Sequence, residues 1–156
     1  MRGQRGKIVC RDRASQLVDF SKMVFDRGAT PTDIDGFVEL GGKFFIFFDL
    51  KHETAEKIQG GQMWAYENLT KAIHNPNKGK YCITLIAKHN TPTTEDIQAE
   101  NCLVTDCYFD GKWSSVTKNI KLKSYIDRFI KQPSFATNES LHHQKSLDDL
   151  LQTTKP

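Results

Sequence analysis

The segment that most constrains the fold of this chain is an apolar run, Phe44–Phe48, that is followed at once by Asp49, Leu50 and Lys51. A continuous apolar run of this length predicts a strand over residues 43–50 that is buried on both faces. Burying charge at the end of such a strand costs free energy, so charged residues there usually have a functional task. The carboxyl end of this strand is therefore the first place to look for chemistry.

A hairpin is predicted immediately before this strand. Ile34–Leu40 has the pattern of a strand, and Gly41-Gly42 is a two-residue hairpin signal. Pairing through that turn sets residue n opposite about residue 83 − n, so Asp35 falls opposite position 48 and close to Asp49. A bulge or a looser turn would decide the remaining register. Because side chains alternate along a strand, Asp49 and Lys51 point the same way, and two carboxylates and a lysine converge at one end of the hairpin.

The rest of the chain predicts a single α/β domain, a size that suits 156 residues. The predicted elements are a helix over about residues 13–26, a helix over 61–74, a strand over 80–89, a short helix within 90–101, a strand over 102–109, a turn at Asp110-Gly111 and a helix over 120–131. Strand, helix and strand at this spacing predict a right-handed crossover between parallel strands. Residues 1–11 form a basic N-terminal arm, residues 12–132 the domain, and residues 133–156 a polar tail with a short helix.

The formal net charge is only +3, so it does not by itself indicate a nucleic-acid-binding protein. The distribution of basic residues along the chain is more informative. Residues 1–13 hold five basic side chains, Arg11 and Arg13 among them, against one acid. Such a patch suits phosphate groups, although a solvated basic surface is the alternative interpretation. No apolar run approaches the ~20 residues of a membrane span, and the N-terminus has no apolar signal segment. We therefore expect no membrane association and a cytoplasmic location.

The three charged groups at the hairpin suggest a specific chemistry. Two nearby carboxylates repel each other unless a cation lies between them. A hard divalent ion such as Mg²⁺ accepts oxygen ligands and keeps positions open for water and for a phosphate oxygen. It polarises the phosphate and lowers the pKa of a bound water, while Lys51 holds that water or stabilises the developing charge. Asp35, Asp49 and Lys51 would suffice for phosphodiester hydrolysis.

Asp35, followed on the next strand by Asp49-Leu50-Lys51, resembles the signature of the PD-(D/E)XK nuclease superfamily. The resemblance implies a restriction-endonuclease-like αβββαβ core, with a central mixed sheet flanked by helices. It further implies that Asp35 and Asp49 bind Mg²⁺ (or Mn²⁺), that the carbonyl of Leu50 faces the metal, and that Lys51 assists the attacking water. Many exonuclease-like members carry Glu at the position of Asp49.

A second motif lies on the predicted crossover helix. Gln62-Met63-Trp64-Ala65-Tyr66 is similar to the QxxxY motif of the exonuclease-like branch of the superfamily. A spacing of four places Gln62 and Tyr66 on one helical face. The resemblance implies that Gln62 approaches the catalytic site and that Tyr66 supports it or contacts DNA. The amino-acid sequence of residues 30–52 also resembles that of small, uncharacterised phage-encoded members. If the chain is phage-encoded, it would be located in the host cytoplasm.

Several further residues have two possible roles. His89 ends the second parallel strand, on the edge where sites tend to form, and is either a substrate contact or a surface histidine. Asp33 is a further metal ligand or a turn residue after Pro31. Gln16, on the first predicted helix, contributes to the metal shell or lies exposed on that helix. Arg11 and Arg13 are candidate contacts for substrate phosphates.

Together these residues predict a Mg²⁺-dependent deoxyribonuclease with DNA as its partner. The sequence leaves open whether it is an exonuclease, a junction resolvase or a nickase, and a resolvase would be expected to form a homodimer. The alternative is a catalytically inert nucleic-acid-binding, recombination or assembly protein of the same fold. The Gly-rich phosphate-loop motifs are absent.

Overall fold

The computed structural model describes residues 19–20, 22–55 and 60–132. The chain divides after Asp33 into two compact units. The second contains the strands β1 (Gly36–Leu40), β2 (Phe44–His52), β3 (Tyr81–His89), β4 (Leu103–Phe109) and β5 (Lys112–Ser115), and the helices α1 (Gly61–Ile73) and α2 (Leu122–Ile130). Short 3₁₀ helices span Asp26–Gly28, Pro76–Lys78 and Ala99–Asn101.

The five strands form one mixed sheet in the order β1-β2-β3-β4-β5. The pair β2–β3 is parallel, and the other three pairs are antiparallel. Helix α1 connects the two parallel strands, so a helical connection between parallel strands is confirmed, as is an α/β chain with a mixed sheet. The predicted strands over residues 80–89 and 102–109 and the helices over 61–74 and 120–131 are confirmed to within two residues at each end.

The hairpin between β1 and β2 is one residue looser than its Gly-Gly signal predicts. Gly36 pairs with Phe48 and Leu40 with Phe44, so paired residue numbers sum to 84 rather than about 83. The turn contains Gly41, Gly42 and Lys43, with both glycines at positive φ, a conformation that glycine adopts without strain. If this register is continued by one residue, position 35 lies opposite position 49. The sequence had predicted that Asp35 lies close to Asp49.

The sheet has one helix-covered apolar region on each face. The even-numbered residues of β2 up to Leu50 and the odd-numbered residues of β3 up to Ala87 belong to a large buried cluster, or pack against it, together with Tyr125 and Phe129 of α2. The opposite face holds a smaller buried cluster of Phe47, Tyr66 and Cys82, against which Phe45, Leu69 and Ile73 pack. Helix α1 therefore covers the face to which Asp49 and Lys51 belong.

The predicted helix over residues 13–26 is wrong for the part that the structure describes. Residues 19–20 and 22–25 are not helical, and only Asp26–Gly28 forms a 3₁₀ turn. Met23, Val24 and Phe25 are 45, 60 and 59% exposed, so the apolar stripe is not buried. A short helix without packing on an apolar face is marginal in water. Residues 13–18, the arm over 1–11 and the tail over 133–156 lie outside the described residues.

Among the described residues, the expected αβββαβ order is present only in part. Within residues 22–55, two strands rather than three precede the crossover helix. The reason is that β2 continues without a break from the hairpin turn to His52, because no turn-forming residue interrupts it. The short helix expected within residues 90–101 is a single 3₁₀ turn. Among the described helices, none has the length and apolar character needed to cross a membrane.

Candidate active site at the carboxyl end of β2

Asp49 is the most unusual residue of the sheet, because it is a carboxylate with only 1% of its surface exposed. It belongs to β2, whose neighbouring residues Phe48 and Leu50 pack on the large cluster of the opposite face. Strand alternation therefore aims Asp49 at the face covered by α1. A carboxylate buried in this way is costly unless polar or charged partners surround it.

Three side chains supply those partners. Oδ1 of Asp49 accepts a hydrogen bond from the Tyr66 hydroxyl at 3.3 Å and from Nε2 of Gln62 at 3.4 Å. Oδ2 forms an ion pair with Nζ of Lys51, 2.9 Å away. Gln62 and Tyr66 of α1 thus both contact the acid of β2. Sequence spacing placed them on one helical face, and the crossover carries that face onto the strand end.

Asp35 lies at the point where β1 stops pairing with β2. Its Oδ2 accepts the backbone N–H of Leu50 at 2.6 Å. The ladder pairs end at Gly36 and Phe48, so the Asp35 carboxylate occupies the place of the next acceptor along the strand. In an antiparallel pair, the N–H and C=O of one residue face the same neighbouring strand. The carbonyl of Leu50 consequently faces the edge at which Asp35 lies.

The electrostatics of the centre are set mainly by burial. Desolvation raises the pKa of Asp49 above its ordinary value, and the charge of Asp35 raises it further. The Lys51 ammonium acts in the opposite direction, through its contact and its charge. Burial and the two carboxylates also raise the pKa of Tyr66 far above its usual range, so its hydroxyl keeps its proton and donates to Asp49.

The residues of this centre fit a hard divalent cation. Among the described residues, Lys51 is the one partner of the buried Oδ2 of Asp49, at 2.9 Å, and a carboxylate oxygen can accept a further ligand. Asp35 adds a second carboxylate, and the Leu50 carbonyl adds a main-chain oxygen. Oxygen donors of this kind suit Mg²⁺ or Mn²⁺. In the described segments, no group of three or more His, Cys, Asp or Glu residues gathers to hold a metal, so water or substrate oxygens would complete such a shell.

Of the remaining candidates, His89 is not brought to Asp49. His89 ends β3 opposite His52, one position beyond the pair Lys51 and Lys88. By strand alternation, its side chain leaves the sheet on the face opposite to Asp49. Asp33 is exposed in the first compact unit. Arg11, Arg13 and Gln16 lie outside the described residues, so their proposed roles stay predictions.

Lys88 is a residue that the sequence analysis missed. It pairs with Lys51 across β2 and β3, and its Nζ donates to the carbonyls of Glu53 at 3.1 Å and Ala55 at 3.3 Å. It thereby holds the segment after β2 against the end of β3. A signal was present in the sequence, because both parallel strands end in the dipeptide Lys-His after an apolar run, at Lys51-His52 and at Lys88-His89.

Comparison with protein-family models, with curated proteins and with solved structures found no match to this chain.

Proposed function

We propose that this chain is a divalent-metal-dependent nuclease that hydrolyses phosphodiester bonds in DNA, with a restriction-endonuclease-like core. The observation that carries the proposal is the buried carboxylate of Asp49, which lies 2.9 Å from the Lys51 ammonium and next to a second acid, Asp35. A buried acid at the end of an otherwise apolar strand destabilises the fold. A charged substrate or cofactor gives a reason for keeping it there.

Each residue of the centre has a role in this proposal. Asp35 and Asp49 hold the cation, with the carbonyl of Leu50 as a main-chain ligand. When bound, Mg²⁺ or Mn²⁺ would polarise the scissile phosphate and acidify the attacking water. Gln62 and Tyr66 hold Oδ1 of Asp49, which leaves Oδ2 directed toward Lys51.

Lys51 has two states in this scheme. With the cation absent, its ammonium neutralises Asp49 at 2.9 Å. If Asp35 and Asp49 held a cation, the carboxylate would have a stronger partner, and the Lys51 ammonium would then be available to the attacking water or to a nonbridging phosphate oxygen. An ammonium at that position stabilises the negative charge that builds up on the phosphate oxygens in the transition state. Its side chain is 29% exposed, so substrate reaches it from solvent.

The test is cleavage of supercoiled plasmid and of end-labelled linear DNA by the full chain, with Mg²⁺, Mn²⁺ or chelator. Cleavage is expected only with metal. Asp49→Asn and Lys51→Ala should each lower the rate by on the order of 10³-fold, while DNA binding in a gel shift persists. Asp110→Asn is the matched control, because it neutralises an exposed acid in the β4–β5 turn, and it should cleave like the wild type.

Calorimetric titration of Mn²⁺ supplies a readout that does not depend on finding the correct substrate. The wild-type chain should bind Mn²⁺, and Asp49→Asn should bind it at least about tenfold more weakly. Full activity in Asp49→Asn would remove the mechanism. Absence of cleavage for every DNA form, together with retained DNA binding and no Mn²⁺ binding, would instead assign an inert nucleic-acid-binding protein.

A further inference from the structure

A cavity of about 420 Å³ opens at the carboxyl end of β3 and has no part in the chemistry described above. Its walls come from the ends of β3 and β4 and from the loops around residues 90, 100 and 118. Its volume lies within the range of roughly 300–1,000 Å³ that is typical of sites for small organic ligands. Its walls combine apolar surface with ten polar or charged residues out of fourteen, which points to a ligand that has both an apolar part and hydrogen-bonding groups.

The charge of the cavity favours an anion. Two ammonium groups, Lys88 and Lys118, line it, against one carboxylate, Glu53. Within residues 34–55 and 60–132, no carboxylate lies within ion-pair distance of either lysine. The hydrogen bonds of Lys88 to two main-chain carbonyls hold its side chain in place without cancelling its charge. A phosphate group is the natural partner for two such ammonium groups.

The other polar groups of the cavity suit a nucleobase. Four carboxamides line it, those of Asn90, Gln98, Asn101 and Asn119. Each carboxamide offers both a donor and an acceptor, as do the edges of the bases. Nζ of Lys121 donates to Oδ1 of Asn101 at 2.9 Å, which leaves the amide NH₂ of Asn101 as a donor.

The His89 ring adds a hydrogen-bond donor, the N–H of Nε2. Its Nδ1 accepts the backbone N–H of Thr91 at 3.2 Å, so the neutral ring carries its proton on Nε2. A backbone irregularity accompanies the cavity, because the β3–β4 register shifts between Ile86 and Ala87 and leaves Thr105 unpaired. The Thr105 hydroxyl donates to the Ile86 carbonyl at 3.4 Å. Bulges of this kind bend a strand and are common beside functional sites.

The cavity begins beside the proposed cleavage centre. Lys88 pairs with Lys51 across the parallel strands, and adjacent strands lie about 4.8 Å apart. Since His89 leaves the sheet on the opposite face, it is the Lys88 side of the cavity that would lie one strand away from a phosphate held at Lys51. A single nucleotide fills a space of this size, whereas a base pair within a duplex does not enter it.

We propose that this cavity binds one unpaired nucleotide of the DNA substrate, adjacent to the bond that is cut. The inference rests on the proposed nuclease function and deepens it. Lys88 and Lys118 bind the phosphate, while the carboxamides and His89 bind the base and sugar. The substrate class that follows is single-stranded DNA, or duplex DNA with a frayed or flipped nucleotide, rather than intact duplex.

Binding is tested first in chelator, so that it does not depend on cleavage. Thymidine 5′-monophosphate is titrated into the full chain by calorimetry, with inorganic phosphate as the reference ligand. We expect the nucleotide to bind more tightly than phosphate. Lys118→Ala and Asn119→Ala, both at exposed positions, should each weaken nucleotide binding about fivefold.

The matched control is Lys78→Ala, which removes an exposed ammonium at the opposite end of β3, about 30 Å away along the strand. It should leave the affinity for the nucleotide unchanged. Equal affinity for phosphate and nucleotide, or an affinity that neither Lys118→Ala nor Asn119→Ala changes, overturns the inference.

A cleavage experiment separates the two proposals. On single-stranded DNA with Mg²⁺, Lys118→Ala should raise KM about fivefold with kcat unchanged, and the wild type should prefer single-stranded over intact duplex DNA. Nucleotide binding without any cleavage would contradict the nuclease and leave the cavity assignment standing. Cleavage with normal KM in both cavity variants would contradict the cavity and leave the nuclease standing.

Discussion

The two faces of the parallel pair β2–β3 differ in what they bury. The face under α2 is apolar as far as Leu50 and Ala87, and it packs against Tyr125 and Phe129 of that helix, each at most 1% exposed. The face under α1 is apolar near the start of β2, with Phe47 and Cys82, and becomes polar toward its carboxyl end at Asp49. One strand thus contributes to a stabilising core on one side and to a charged centre on the other.

This difference separates stability from chemistry within a single strand. Each buried apolar side chain of the α2 face stabilises the fold in proportion to the area it removes from water, about 25 cal/mol per Å². Asp49 does the reverse, because its desolvation favours the neutral acid and raises its pKa. The α2 face should therefore determine how stable the protein is, and the α1 face what it does.

The largest expected effect on stability is that of Phe129→Ala. The Phe129 ring lies 6.1 Å from that of Phe44 and 5.6 Å from that of Phe109, in edge-to-face contacts. Its truncation should lower the free energy of unfolding by about 3–5 kcal/mol, measured by urea denaturation. Phe37→Ala is the matched control on the α1 face, where the ring stacks on Phe47 but is 51% exposed, and it should cost about 1 kcal/mol. Equal losses would contradict the division of roles.

A smaller effect is expected for Tyr66→Phe, which removes the hydroxyl that donates to Asp49 at 3.3 Å. The carboxylate then loses part of its orientation, so cleavage should fall about tenfold while stability falls by about 1 kcal/mol. Tyr125→Phe removes a buried hydroxyl from the α2 face and should cleave at the wild-type rate. A larger loss of cleavage in Tyr125→Phe than in Tyr66→Phe would reverse the assignment of the faces.

Asp49→Asn should change stability little, and in the favourable direction. The substitution removes a buried charge, and the new amide remains a polar neighbour of Gln62 and Tyr66. In chelator, the free energy of unfolding should therefore rise by up to about 1 kcal/mol. The released Lys51 is partly exposed and remains hydrated. Thermal unfolding of both proteins provides the measurement. A clear loss of stability would identify Asp49 as a structural residue and weaken the proposed function.

The smallest expected effect is the pH dependence of the difference in unfolding free energy between the wild type and Asp49→Asn. The folded-state pKa of Asp49 lies above its ordinary value of 3.8, so the folded chain binds more protons than the unfolded chain between the two values. The wild type consequently loses stability, relative to Asp49→Asn, as pH rises through this window. Below the ordinary pKa the two proteins should differ least, and above the folded-state pKa most. Urea denaturation in chelator at a series of pH values checks this, and a difference that grows toward acid would contradict the raised pKa.

Much of the fold follows from local pattern. The apolar runs that end in Lys51 and Lys88, the crossover helix between them and the stripe on α2 were all predicted, because their periodicity is strong and the tertiary packing agrees with it. The helix over residues 13–26 was predicted from the same kind of periodicity and failed in its described part, because its apolar residues remain exposed. Periodicity indicates which face a helix would bury, but only packing stabilises it.

The sequence by itself determined that Asp49 and Lys51 share a face, that Asp35 lies near them and that Gln62 and Tyr66 lie on one helical face. These relations depend on backbone periods of two and about 3.6 residues. The three-dimensional structure decided the hairpin register, through a turn one residue longer than expected, and the contact between α1 and Asp49. It also formed the cavity near His89, whose walls come from segments between Glu53 and Asn119. Contacts between residues so distant along the chain depend on how the strands are ordered and joined, which local periodicity does not specify.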